Sequence, residues 1–403
     1  MEIGARARRN PLHQTRFFQP RRPAYWLYLV VVAATGAVSI AEQSFFRRLS
    51  AGGWALSWAL LVLYALPVLL LVYVLDLYER EPLAVVVAAL VWGAVAATTL
   101  AAVANAGWGL LVARVTDPDF AARWTAALTA PIVEETLKGL GVVLIYLIVR
   151  DELDDVMDGF VYGAVCGLGF AVVEDVFYFM SVFGGQPGGV LRGFLVRVVA
   201  SGLYSHVLYT GLVGMGIGYV VSQRTEASRA RRVAVCAGLC ALAVLGHFLW
   251  DSPVLDLFPT GPLTAGSFVV AVVAAAVKGL PLLIVVVVAI RLARRRERGW
   301  LDSALSTEVG GEGISADEMR VLRDPRSRRV ARRDMRRRAG ARAASLLRRL
   351  QREQVNLAMI RSRVAAADDP ALLRQRAYCR SLRDALQAIP GAAPADIGAP
   401  SGG

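Results

Sequence analysis

Between positions 24 and 290 the chain is a succession of apolar runs, each close to the roughly 20 residues a helix needs to cross a bilayer's hydrocarbon core. Eight can be read: 24–41, 54–77, 83–112, 124–149, 156–183, 198–221, 233–250 and 265–290. The fold expected from them is all-α, a polytopic membrane bundle of about eight transmembrane helices with a small helical cytoplasmic C-terminal region. A basic segment ahead of a shortish first run would also suit a signal peptide. Seven further runs need no cleavable signal, so the first run is read as a span.

Charge is placed as unevenly as hydrophobicity. Charged residues make up 19% of the 403 positions, against about 25% in soluble domains. The division expected is a basic N-terminal segment (1–23), a membrane domain (24–290) and a basic, largely helical cytoplasmic tail (291–403). The formal charge of +13 belongs mostly to the two ends. Cys166, Cys236, Cys240 and Cys379 form no disulfide framework. The helical spacing of Cys236 and Cys240 is explained by small residues packing in a membrane helix.

Arginines in the short connections set orientation. Arg6, Arg8, Arg9, Arg16, Arg21 and Arg22 precede the first run, and Arg80, Arg150, Arg224, Arg229, Arg231, Arg232 and Arg291 occupy alternate connections. The opposite connections hold Arg47, Arg48, Arg114, Arg123, Arg192 and Arg197. An even number of spans with both termini in the cytoplasm of a cell-membrane protein fits best. The basic run 326–352 in the tail is suited to anionic lipid. It lacks aromatic residues and any nucleic-acid motif, so no nucleic-acid partner is expected.

Ionisable groups inside a bilayer cost about 2.5–3.5 kcal/mol each even on the gentlest scale. Those that persist here cluster. Run 124–149 holds Pro131-Ile-Val-Glu134-Glu135-Thr-Leu-Lys138. Glu134 precedes Lys138 by four positions, the favourable order for a helical ion pair. Glu135, turned about 100° away, is expected to stay outside that pair, and Pro131 to open the helix. Run 156–183 holds Phe170-Ala-Val-Val-Glu174-Asp175. His206 lies in the next run, and His247-Phe-Leu-Trp-Asp251 closes the seventh. The remaining histidine is His13. On a helical rise of about 1.5 Å, Glu134, Glu174, His206 and His247 lie roughly 5–15 Å below the outer surface. Adjacent helices could therefore bring them together.

Carboxylates beside imidazoles support two chemistries. A buried glutamate can act as general base on water. Alternatively, two histidines and a carboxylate (His206, His247 and Glu174 are the candidates) can hold Zn2+ while a second glutamate is the base. The His-Glu-x-x-His helix is absent, so spacing leaves the cofactor open between zinc and a metal-free glutamate mechanism. Duller roles exist for each residue. Glu134 and Lys138 could be a structural pair, His206 could bond Tyr204 or Thr210, and Asp251 suits orienting His247. Trp54, Trp108, Trp124 and Trp250 suit interfacial belts. Gly163, Gly167 and Gly169 would let helices pack closely. A proton-coupled transporter or channel could use the same buried groups, though no internal repeat of the kind common in transporters is visible.

In order and spacing these segments resemble the PrsW family of intramembrane proteases, which is akin to the CAAX- and bacteriocin-processing membrane proteases. The family pattern is Glu-Glu-x-x-Lys, then Phe-x-x-x-Glu, then a span with one histidine, then His-x-x-x-Asp or Asn. Here these are Glu134-Glu135-x-x-Lys138, Phe170-x-x-x-Glu174, His206 and His247-x-x-x-Asp251. The charged connection Asp76-Leu-Tyr-Glu79-Arg80-Glu81-Pro82 is similar too. CAAX-type relatives carry Glu-Glu-x-x-x-Arg and Phe-x-x-x-His, so PrsW is the nearer pattern. The resemblance covers roughly 54–290 and not the tail. It implies an intramembrane peptidase in which Glu134 and Glu135 activate water and Glu174, His206 and His247 complete the site, with Lys138, Phe170 and Asp251 in support. It also implies a single-span membrane substrate, such as a membrane-anchored anti-sigma factor.

Overall fold

The computed structural model describes residues 17–75, 81–150, 153, 155–201, 206–222, 227–254, 264–310, 313–364 and 366–392. Arg6, Arg8, Arg9, His13, Arg16, the connection 76–80, Tyr204, Arg224 and the Pro/Gly/Ala-rich end lie outside the described residues. The chain divides into two compact units, Met1–Arg291 and Leu292–Gly403.

The first unit is a helical membrane bundle. Its helices are α1 (Pro23–Leu49), α2 (Ala51–Leu75), α3 (Leu83–Val91), α4 (Thr98–Val115), α5 (Pro118–Ile148), α6 (Val156–Ser181), α7 (Pro187–Phe194), α8 (His206–Val221), α9 (Arg229–Asp251) and the part of α10 (Ala265–Ser306) up to Arg291, the rest of α10 belonging to the second unit. Two π-helical turns, Trp92–Ala97 and Leu195–Ala200, continue α3 into α4 and extend α7. Among the described residues six helices are long and apolar enough to cross a membrane. The fourth and sixth expected spans fall short of that measure. Three ionisable residues within five positions lower the hydropathy of α5, and the described part of the sixth, α8, is an apolar helix shorter than a span. Helix α5 also runs unbroken through Pro131, so the expected opening is not seen.

Helix α6 is the core, buried along almost its whole length. Asp155 and Asp158 form a capping box that fixes its start. Gly159, Gly163 and Gly167 recur every four residues and so share one face. A Cβ at these positions would lie 2.1 Å from the Gly214 carbonyl oxygen, 2.2 Å from that of Thr210 and 2.2 Å from that of His206. The backbones of α6 and α8 are therefore in direct contact, which only glycine permits. Gly169 faces another way, with its Cβ position 2.2 Å from the Leu90 carbonyl oxygen, so α6 is also pressed against α3. The indole of Trp92, in the first π turn, covers Gly141 and donates to the Leu137 carbonyl oxygen at 3.0 Å. That contact ties α5 down one residue before Lys138. Glu81, within the charged connection, is buried and accepts from the Tyr162 hydroxyl of α6.

The second unit holds α11 (Ala316–Leu322), α12 (Pro325–Arg363) and α13 (Pro370–Gln387). Ser315, Asp324 and Asp369 cap these helices. Helix α12 bends at Gly340, whose φ of 84° lies in the left-handed region glycine favours. Helix α13 folds back on it, with the Gln375 amide on the Glu353 carbonyl oxygen at 2.9 Å. Buried Glu308 accepts a two-pronged bond from Arg376 at 2.8 and 2.9 Å. Burial pushes the Cys379 thiol up to about 12, which leaves it unreactive at neutral pH.

The glycine contact gives a first prediction. Gly163→Ala should destabilise the bundle by about 1–3 kcal/mol, as overpacking does. Gly107→Ala, where a Cβ would meet nothing within 4 Å, should be neutral or stabilising by up to about 1 kcal/mol. Thermal unfolding of the purified variants compares them, and equal shifts would contradict the backbone contact.

Candidate active site

At the centre of the bundle the Lys138 ammonium has no solvent exposure. Its Nζ lies 2.6 Å from Glu135 Oε1, 3.5 Å from Glu134 Oε2 and 2.9 Å from His206 Nδ1. It also sits 4.1 Å above the Phe170 ring. One cation thus gathers side chains from α5, α6 and α8. The expected exclusion of Glu135 from this pair is corrected. Positions three apart on a helix are neighbours as much as those four apart, and Lys138 makes its shorter contact with Glu135.

The two adjacent glutamates have different surroundings. Besides Lys138, Glu135 accepts from Thr210 Oγ1 at 2.9 Å and meets His247 Nδ1 at 3.1 Å. Its acceptors are taken. Glu134 accepts from Asn105 Nδ2 at 3.1 Å through Oε1, whereas its buried Oε2 has no hydrogen-bond partner among the described residues. Glu134 lines a cavity of about 920 Å³, and so do Asn105, Glu174, His206, His247 and Asp251. The open carboxylate oxygen belongs to a residue at the cavity wall.

Each histidine is held on both nitrogens. His206 Nε2 lies 3.1 Å from Glu174 Oε2, opposite its contact with Lys138. His247 Nε2 lies 3.3 Å from Asp251 Oδ2, one helical turn on. Tyr209 stacks on the His247 ring with centroids 4.9 Å apart, and the two imidazoles meet edge to face at 5.0 Å. Glu134, Glu135, Glu174, His206, His247, Lys138, Phe170 and Asp251 are all joined in this one network.

The residues present fit a divalent metal. Glu134, His206 and His247 can each offer a ligand atom, all within 4.8 Å of one another. The unpartnered Glu134 Oε2 lies 3.8 Å from His206 Nδ1 and 3.8 Å from His247 Nε2. Two imidazoles and a carboxylate match the three-ligand pattern of catalytic zinc, which leaves one position open. The carboxylate grouped with both histidines is Glu134. Glu174, the candidate from sequence, instead backs His206 from the far side.

Several contributors were not legible as such. Arg197 counted as a connection charge, yet it lies in the second π turn and pairs with Glu174 at 2.9 Å and Asp175 at 2.6 Å. Trp250, expected in an interfacial belt, lines the cavity. Lys278, inside the apolar run of α10, donates to the Trp250 and Ser252 carbonyl oxygens at 3.1 and 3.0 Å and so caps the end of α9. Asn105 and Lys278 carried a usable signal, because each is a polar residue inside an apolar run. Tyr209 and Thr210 carried none.

A helical multi-pass membrane bundle with a buried Glu/His centre of metal-ligating type is the class that fold and site define. Residues 81–280 match the profile of the PrsW family intramembrane metalloproteases. Protease PrsW of Geobacillus kaustophilus (strain HTA426) is 28% identical over 148 residues, which cover 36% of this chain and 58% of that relative. The chain belongs to the PrsW family. It spans just over half the length of the curated relative it matches. No solved structure matches it.

The site yields a second prediction. Lys138→Met leaves Glu134 and Glu135 buried without their cation, a loss of the kind that costs about 3–5 kcal/mol. The variant should unfold at a clearly lower temperature and accumulate poorly. A parent-like unfolding temperature would show that these carboxylates do not need Lys138.

Proposed function

We propose that this protein is an intramembrane peptidase that hydrolyses peptide bonds of membrane-anchored proteins. The observation that carries the reading is the meeting of Glu134, His206 and His247 at the wall of a cavity within 4.8 Å, with one glutamate oxygen accepting no hydrogen bond among the described residues. Membership of a family described as intramembrane metalloproteases supports it.

Glu134, His206 and His247 would hold a zinc ion. When bound, such an ion supplies Lewis acidity and lowers the pKa of its water. The chain's own residues prepare the site. Glu174 at His206 Nε2 and Glu135 at His247 Nδ1 fix the two imidazole rings from behind, as carboxylates behind metal-bound histidines do, and Asp251 adjoins the Nε2 side of His247 that faces Glu134. Lys138 and Thr210 hold Glu135, which in turn meets His247 Nδ1. In a metal-free site the open Glu134 Oε2 is the acceptor placed to take a proton from water. Asn105 keeps that carboxylate turned toward the cavity.

The substrate class is a single-span membrane protein, with a membrane-anchored anti-sigma factor the case the resemblance implies. Its helix must unwind locally, because its amides are otherwise bonded internally. The arginine distribution supports a cell-membrane protein with both termini in the cytoplasm. The basic surface of α12 would there meet anionic lipid.

A third prediction tests this reading. In lipid nanodiscs the native protein should cleave members of a panel of single-span substrates. Glu134→Gln, His206→Ala and His247→Ala should each lower cleavage at least about 100-fold, the scale on which removed acid–base groups act, while still inserting. Zinc near one per chain, with activity abolished by chelation and restored by zinc, assigns the metal route. Full activity in zinc-free protein assigns the glutamate route. Cleavage unchanged in all three variants would remove this centre from the reaction.

A further inference from the structure

Arg197 is a half-buried cation that the chemistry above leaves unused. It sits on the π-helical turn Leu195–Ala200, ahead of α8. Its guanidinium is engaged with one turn of α6 at three points. One terminal nitrogen bonds Glu174 Oε2 at 2.9 Å, Nε bonds Asp175 Oδ1 at 2.6 Å, and the group lies 3.6 Å above the Tyr178 ring. Neighbouring carboxylates on a helix diverge by about 100°, and the planar fork of arginine can reach both where an ammonium cannot. The Glu174 oxygen that Arg197 holds is the one facing His206 Nε2 at 3.1 Å. That nitrogen is the only side of the ring turned from Lys138 and Glu134, which face Nδ1.

We propose that Arg197 is a positioning residue that fixes Glu174 against His206 and thereby sets the angle of that ring and the acceptor at its Nε2. A carboxylate can only accept, so a pinned Glu174 is matched to a proton on Nε2, while Nδ1 accepts from Lys138 on the Glu134 side. Without Arg197, Glu174 loses the cation that holds its Oε2 at His206 Nε2. The π turn serves this arrangement, since such turns re-aim side chains at functional sites. In its effect on catalysis the proposal rests on the peptidase reading. In its effect on the histidine it does not.

The test uses the full chain in nanodiscs with 15N-labelled histidine, where three histidines give an assignable spectrum. The parent should show His206 as one tautomer protonated on Nε2. In Arg197→Gln, and in the apolar, similarly long Arg197→Met as a second variant that folds readily in lipid, the His206 Nε2 signals should shift and broaden as that nitrogen loses its fixed acceptor, while Lys138 still holds Nδ1. The His247 signals should hold still. Arg197→Lys, which keeps a charge near Glu174, should recover part of the parent spectrum. Cleavage should fall about 10–100-fold, the range for groups behind a metal ligand, in kcat rather than KM. His206 signals unchanged in both Arg197→Gln and Arg197→Met overturn the proposal. Failure of the parent to cleave any substrate overturns the peptidase reading alone, because the histidine spectra still decide the role of Arg197.

Discussion

A lysine ammonium sealed from solvent organises this bundle. Lys138 brings together two carboxylates from its own helix, an imidazole from α8 and an aromatic face from α6. In a medium of low dielectric, carboxylates this close must be matched by a cation or give up their charge. The same ion pair that makes Glu134 and Glu135 tolerable in an apolar bundle therefore fixes the distances among the reactive groups. Trp92 reinforces it by bonding the carbonyl oxygen of Leu137, the residue before the lysine.

Short charge contacts between helices require backbones that approach closely. Glycines at 159, 163 and 167 supply that approach, and the last meets the carbonyl oxygen of His206 itself. Close packing and the imidazole's position are thus one feature of the structure. Association of helices in lipid gains little from hydrophobicity, so small residues and polar contacts carry it. Here both kinds converge on α6 and α8. The backing groups follow the same economy, with Glu174 behind His206, Glu135 behind His247 and Lys278 at the end of α9.

The division of labour between two adjacent glutamates follows from their surroundings rather than their chemistry. Glu135 has its oxygens occupied by lysine, threonine and histidine, and so reads as a framework group. Glu134 lines the cavity and keeps one buried oxygen that accepts no hydrogen bond among the described residues. That asymmetry supports Glu134 as the proposed carboxylate that meets a metal or a water.

Much of this was legible from sequence. Apolar runs define the helical membrane bundle, because a bilayer sets the length of a span. Charged residues are costly inside it, so Glu134, Glu135, Lys138, Glu174, His206 and His247 stand out from the apolar background. The pairing within the cluster was not legible. That Lys138 is closer to Glu135 depends on side-chain direction, and the grouping of Glu134 with both histidines depends on the register of three helices. Arg197 was indistinguishable from a connection charge until the π turn aimed it inward. Sequence thus determined which residues could not be lipid-facing, a matter of solvation energy carried by each residue alone. Only the tertiary structure decided which of them meet, since contacts between helices depend on packing and rotation that no single run encodes.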